Sequence, residues 1–531
     1  TTDDDDHRLE ALGYKPSFRR EFSNLATISF AFSIMGLCSS IATTLNTPLL
    51  LGGPASVTWC WLLGSCMCFT LGSSIAEIVS AFPTCGGLYT ASAQLCPKSH
   101  RAIVGWIVGW LNILGQVAGL SSTEFGLANM IWAAVSLSNP TFVVTQGKTV
   151  GLFAGLLIVH GLLNSVATRY LAFATRGFVF VNLGATAVII IVLLATTPLS
   201  EMHAANYVFG SQGIVNQTGG WNNGIAFLLG LLSVQWTDYD ATAHISEEVR
   251  RAAYAAPVAI FIAVIGTGIL GWLLNVVLML CSGPIENLPG ISGSAFLQIM
   301  ALRMGTPVAL FLWSFVCLTA FFVSQTALQA CSRTVYAFSR DHGKQQCLPD
   351  NGYFGHIAGS TRTPLRAIWF TTILSILPGF LDLASPIAAN AIFALTAIAL
   401  DLSYIIPIFL RRLYANHPDV NFRPGPFYMG PGLLGWAANV TCISWTLFVC
   451  VIFSLPTVFP VTKINMNYAS VITVGVVFLS GLWYVISAHQ HYHGPTSNLD
   501  AEAKARIGLV EDAPSISEKE KDRVHISLDS A

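Results

Sequence analysis

Long apolar runs, repeated about a dozen times, constrain this chain more than any other feature. A membrane-crossing helix needs about 20 mostly apolar residues. Such runs fall at about 25–46, 57–80, 102–134, 149–168, 177–196, 222–245, 255–281, 307–338, 365–381, 386–410, 432–456 and 467–488. We number them segments 1 to 12. Only 10% of the 531 residues are charged and 53% are hydrophobic, against about 25% charged in a soluble domain. That is too little charge to cover a water-facing surface, so lipid is the expected solvent. The expected fold is an all-α membrane protein of about 12 transmembrane helices. Segments 3 and 8 exceed what a bilayer needs, which predicts tilt or helical extension beyond it.

The polar opening, with Asp3 to Asp6, is the opposite of a signal peptide, so segment 1 reads as a true span. If the segments alternate across the membrane, 23 of the 26 Lys and Arg share the side of the N-terminus, and only Lys148, Arg303 and Lys463 face the other. The positive-inside rule then places both termini in the cytoplasm, for a protein of the plasma membrane or a vacuolar or other organellar membrane. Asn216-Gln217-Thr218 is a glycosylation candidate on the outer side. Net charge is −1, so nothing invites nucleic acid. The cysteines sit mostly in apolar runs without metal-ligand spacing; neither a metal nor a cofactor is expected. His489, His491 and His493 read as a solvated boundary tract.

The informative residues are those that hydrocarbon should exclude. Segment 6 carries Gln235, Trp236, Thr237, Asp238, Asp240 and His244 where one lipid-buried helix should run. Asp240 and His244 are four apart, so one helix face brings them together near the cytoplasmic end. In segment 1, Gly36, Ser39 and Ser40 lie in a run of small residues at mid-depth. Close helix packing accounts for such a run, but so does a helix break lining a site. Transporters built on inverted repeats break the first helix of each half, and segments 1 and 6 are five apart. In segment 3 a Gly/polar stripe includes Asn112 and Gln116, with Glu124 on its shoulder nearer the outer side. Glu124 is placed either to meet an amine or proton or to be a buried hydrogen-bonded carboxylate. Glu77 precedes Phe82-Pro83-Thr84-Cys85-Gly86-Gly87, whose Pro and paired Gly permit a gating turn. Glu247, Glu248, Arg250 and Arg251 follow segment 6 and are expected to form interfacial ion pairs, gating or simply solvated. Gln325, Thr326 and Asp401 also reach mid-depth.

Three stretches together carry a family resemblance: Glu77 with Phe82 to Tyr89, Gly109 to Gln116, and Tyr239 to Glu248; Met466 to Ser470 adds to it. The chain resembles, nearly end to end, the amino acid–polyamine–organocation superfamily, in its fungal branch of GABA, choline and amino-acid permeases. The resemblance implies a five-plus-five inverted repeat (25–196 and 222–410) and an extracellular connection at 197–221. It also implies two appended helices within 411–488, a cytoplasmic N-tail at 1–24 and a disordered cytoplasmic C-tail at 489–531. It implies substrate held at the breaks of segments 1 and 6, matching about Gly36 to Ser40 and Val234 to Asp238, with proton coupling. Relatives commonly carry Gly where this chain has Asp238, a departure that favours a cationic substrate group or a proton. The coupling Lys that some members place in segment 5 is missing.

The expected activity is secondary active transport, as a proton symporter, of a small amine-bearing solute such as GABA, another amino acid, choline or a polyamine. Gly36, Ser39, Ser40, Gln116, Gln235, Trp236, Thr237 and Asp238 are the binding candidates. The Trp236 indole offers a cation–π face. Glu124, Asp238 and Asp240 are the proton-coupling candidates. A nutrient sensor that binds solute without moving it is the alternative; an enzyme is disfavoured, since no acyl-transfer or metal motif appears.

Overall fold

The computed structural model describes residues 2–234, 238–341, 352–384, 386–420, 422–462, 465–490 and 492–495. It is all-helical: among the described residues the only β-type pairing is an isolated bridge between Phe22 and Val249. Among the described residues, ten helices are long and apolar enough to cross a membrane. Segments 2 and 7 form Pro54–Ala81 and Ala252–Leu280, within three residues of the apolar runs that predict them. Segments 3 and 8 form the longest, Arg101–Ser138 and Thr306–Arg340. At 1.5 Å per residue these reach about 50–57 Å, well past a ~30 Å hydrocarbon core.

Three segments are interrupted: segment 1 at Gly36, and segments 9 and 6. Segment 9 is helical over Leu365–Ile376, turns at Leu377–Gly379, and resumes over Phe380–Ala384; Pro378 lacks the N–H that would continue the ladder. Segment 6 runs through Asn223–Leu228 into a tighter turn at Leu229–Ser233 and then leaves helical geometry. Among the helices outside the segments is Ala295–Met304, capped by Ser294, whose hydroxyl accepts from the Leu297 N–H. At ten residues it is too short to span.

Segment 7 packs along segments 1 and 2, and segment 3 lies against segments 8 and 10. Segment 4 packs on segment 9. Segments 11 and 12, Leu433–Ser454 and Ala469–Ile486, sit at the periphery. There Val474, Phe478 and Val485 are 66–67% exposed. In water each would forgo roughly 1.5–3 kcal/mol of burial; facing lipid they forgo nothing. Both described ends of the chain meet the same end of the bundle. Tyr14 donates to Asp341 Oδ2 at 2.9 Å beyond segment 8, and Tyr492 packs 5.4 Å from Trp106 at the start of segment 3.

Candidate functional site

Segment 1 breaks at Gly36. The chain is helical over Asn24–Met35 and again over Leu37–Thr44, with Gly36 between them at φ 54°, ψ 100°. Glycine adopts this left-handed backbone without a Cβ penalty. Space demands it too, because a Cβ here would stand 2.6 Å from Val323 Cγ2. The freed backbone is partly satisfied locally: the Ser40 hydroxyl donates to Met35 O at 2.7 Å.

In segment 6 the tight turn ends at Ser233, and on the far side Asp238 to Asp240 lie outside helical structure before the short helix Ala241–His244. Gln235, Trp236 and Thr237 lie outside the described residues. Asp238 takes φ 63°, a left-handed position that Asp tolerates better than most non-glycine residues.

A cavity of about 620 Å³ lies between the two interruptions. Met35, Ser40 and Thr43 line it from segment 1, Ser122 and Thr123 from segment 3, and Ser233 and Asp238 from segment 6. Val323 and Thr396 close its sides. The cavity extends to Thr457, Val458 and Asn467 in the connection between segments 11 and 12. Asp238 Oδ2 reaches toward segment 3, 3.8 Å from where a Cβ on Gly119 would sit. Of the binding candidates, Ser40 and Asp238 line the cavity, and Gly36 forms the break beside it. Ser39 is buried behind the break, and Gln116 is buried with its amide donating to Asn112 Oδ1 at 3.0 Å. Neither is in the wall.

Below the cavity a buried polar network ties the interruption to the opposite end. The Asp238 N–H donates to the Tyr404 hydroxyl at 2.8 Å, and that hydroxyl donates to Asp240 Oδ1 at 2.9 Å. Asp240 Oδ2 accepts from Asn112 at 2.8 Å and faces His244 Nε2 at 2.9 Å. His244 Nδ1 is 3.0 Å from the Cys85 carbonyl. Since a carbonyl only accepts, Nδ1 carries a hydrogen; Nε2 then faces a carboxylate that already accepts two bonds, which fits an imidazolium. The Cys85 N–H continues the chain to Glu247 Oε1 at 3.1 Å.

That far end is closed by ion pairs. Glu247 pairs with Arg340 at 3.0 Å and Glu248 with Arg333 at 2.8 Å; Glu77 pairs with Arg411 and accepts the Met429 N–H. The pairing expected of Glu247 and Glu248 with Arg250 and Arg251 is not what forms. Arg251 sits left-handed at φ 55° with its N–H on Asp5, and Arg250 Nε donates to Arg20 O. Both arginines point off the bundle, and the acidic side chains turn inward to segment 8. The N-terminal stretch covers this end: Tyr14 lies under Arg340, 4.4 Å from ring centroid to guanidinium, and Phe18 packs on Tyr336 at 5.1 Å. Burial between Tyr14 and Tyr89 pushes the Asp341 carboxyl up to about 6.

Glu124 stands apart from the cavity. It is fully buried, with Oε2 3.1 Å from His160 Nδ1 on segment 4. Sequence reasoning overlooks His160, although the exclusion of ionisable groups from hydrocarbon flags it as readily as Asp240. Tyr404, Arg333, Arg340 and Arg411 are likewise missed, since a lone Tyr in a span or an Arg at its end is unremarkable until its partner is known. Asn216 is exposed, its amide donating to Trp221 O and Asn223 Oδ1. His491 lies outside the described residues. Among those residues no group of His, Cys, Asp and Glu has the form of a metal site.

Residues 22–478 match the amino acid permease family model. The chain is 42% identical to an uncharacterised amino-acid permease of Schizosaccharomyces pombe over 95% of its own length and 92% of the relative's. It is 36% identical to amino-acid permease 2 of Neurospora crassa, over 96% and 93% of the two chains. Its identity to the GABA-specific permease of Saccharomyces cerevisiae is 34%, over 93% and 86%.

Proposed function

The chain belongs to the amino acid permease family, within the amino acid–polyamine–organocation superfamily, and from that premise we propose that it imports a small amine-bearing solute by proton symport. GABA, another amino acid, choline and a polyamine are the substrate classes. The observation that carries the reading is the position of the Asp238 carboxylate in a cavity opposite the break at Gly36. The carboxylate is placed for an ammonium. The N-terminal turn of the helix Leu37–Thr44 offers N–H donors and the positive end of a helix dipole to a carboxylate. Gln235, Trp236 and Thr237 adjoin Asp238 in sequence and complete the proposed binding set.

We read segments 1–5 and 6–10 as inverted repeats within a fold of twelve spans. Supporting this, segments 2 and 7, 3 and 8, and 4 and 9, which the repeat would relate, pack against one another. With both termini cytoplasmic, the cavity faces outward and the ion-paired end is the closed inner gate. Glu77, Glu247 and Glu248, with their arginines, then act as its latches, and Asn216 lies on the outer loop. Uptake of labelled GABA into proteoliposomes under an inward proton gradient, with unlabelled choline, putrescine and neutral amino acids as competitors, tests the reading. Gradient-driven uptake with a clear competitor order supports it; specific binding without flux would make the protein a sensor.

A further inference from the structure

Glu124 and His160 form a fully buried pair between segments 3 and 4 that the cavity does not reach. Its hydrogen inventory is constrained. His160 Nε2 lies 3.1 Å from the Phe321 carbonyl of segment 8, and a carbonyl only accepts, so Nε2 carries a hydrogen. The other ring nitrogen, Nδ1, faces Glu124 Oε2 at 3.1 Å. With one proton on either Nδ1 or Oε2 the pair is neutral overall. Without it, a lone pair confronts a bare carboxylate and one net negative charge is left in a dry site, at high cost. Neither Glu124 oxygen nor His160 Nδ1 makes a hydrogen bond among the described residues to soften that charge, although Oε2 and Nδ1 stand 3.1 Å apart.

The described neighbours of the pair are uncharged. Segment 8 brings Phe321, Ser324 and Gln325 to this region, and segment 9 brings Trp369 and Thr372 against Gly161; all are uncharged. The acid nearest along segment 3, Asp238 by Gly119, lies on another face, since positions 119 and 124 are about 140° apart around the helix. The pair is nevertheless one layer behind the cavity wall. Thr123 lines the cavity and accepts from Ser324 at 3.4 Å, and Val323 lines it two residues beyond Phe321. Segments 3 and 8 thus present one face to solute and another to the pair.

We infer that the Glu124–His160 pair holds the proton that moves with the solute. This rests on the symport reading above and assigns its carrier. The proton enters between Nδ1 and Oε2 from outer water and neutralises the pair. It leaves to inner water only when segments 3, 4 and 8 shift enough to hydrate the carboxylate, so proton release is tied to the conformational change. No bond other than those to the proton forms or breaks.

Glu124→Gln separates this from a packing role, because the Gln amide donates to neutral Nδ1 while Nε2–H keeps its carbonyl, preserving the contact without a transferable proton. In proteoliposomes, Glu124→Gln is expected to abolish gradient-driven accumulation while solute–solute exchange continues. Accumulation at the wild-type level in Glu124→Gln overturns the assignment. A wild-type protein that accumulates solute without any proton dependence overturns the symport reading itself, a distinct failure. If Glu124→Gln shows no exchange, His160→Asn decides: its amide replaces Nδ1 beside Glu124 and removes one of the two proton-holding atoms, so the pH midpoint of accumulation shifts. An unchanged midpoint overturns the assignment.

Discussion

Tyr404 bridges two acidic residues of the interrupted segment, accepting the Asp238 N–H at 2.8 Å and donating to Asp240 Oδ1 at 2.9 Å. One phenol from segment 10 therefore fixes the left-handed turn that aims Asp238 into the cavity. The same phenol completes the shell of the carboxylate that holds His244. Tyr404→Phe leaves a buried N–H and a carboxylate oxygen short of partners, at about 1–3 kcal/mol. Uptake should fall with a lower melting temperature, and the loss should appear mainly in apparent affinity. Kinetics identical to wild type would remove the turn from the mechanism.

Asp238→Asn keeps the shape and removes the charge. A charged hydrogen bond contributes about 1.5–3 kcal/mol, so apparent affinity for an ammonium-bearing solute should weaken roughly ten- to hundredfold. The protein should remain folded and correctly sorted. Radiolabelled uptake together with size-exclusion profiles checks both.

Gly36→Ala combines a left-handed backbone, costing about 1–2 kcal/mol for an L-residue, with a Cβ 2.6 Å from Val323 Cγ2. Transport should be largely lost. Adding Val323→Ala relieves the overlap but not the backbone strain, so partial recovery of uptake is expected. Full recovery would show that space alone demands glycine there.

Removing Arg340 strands the buried Glu247 carboxylate, and breaking such a pair costs about 3–5 kcal/mol. Arg340→Gln should loosen the ion-paired end. Cys85, buried with its N–H on Glu247, reports this: its alkylation, followed by mass spectrometry, should rise well above the wild-type rate.

Asp341 gives the same end a pH response. Its carboxyl is pushed up to about 6 by burial, above the ordinary value near 3.8. A raised carboxyl favours the proton-bound, closed arrangement, so the closed end gains stability as pH falls through about 6 and loses that gain as pH rises back through it. Melting temperature measured between pH 7.5 and 5 should show this component, and Asp341→Asn should remove it.

The helices were legible because apolar length is written directly in the chain: segment 12 is expected at 467–488 and forms Ala469–Ile486. The break at Gly36 was legible for a related reason, since small residues at mid-depth weaken a helix. The partners were not. Glu247 and Glu248 stand beside Arg250 and Arg251 in sequence, yet pair with arginines some 85–93 positions away. Those contacts depend on how segments 6 and 8 pack, which hydropathy does not encode. Segment 9 looked continuous because Leu377, Phe380 and Leu381 are apolar, but Pro378 and Gly379 interrupt it.

The most direct test is solute protection of the cavity wall. A cysteine placed by Ser40→Cys, alkylated from the outer side and followed at that position by mass spectrometry, should be shielded by whichever solutes compete in uptake, in the same rank order. Labelling that is indifferent to every transported solute, in a variant that still transports, would show that the solute passes elsewhere.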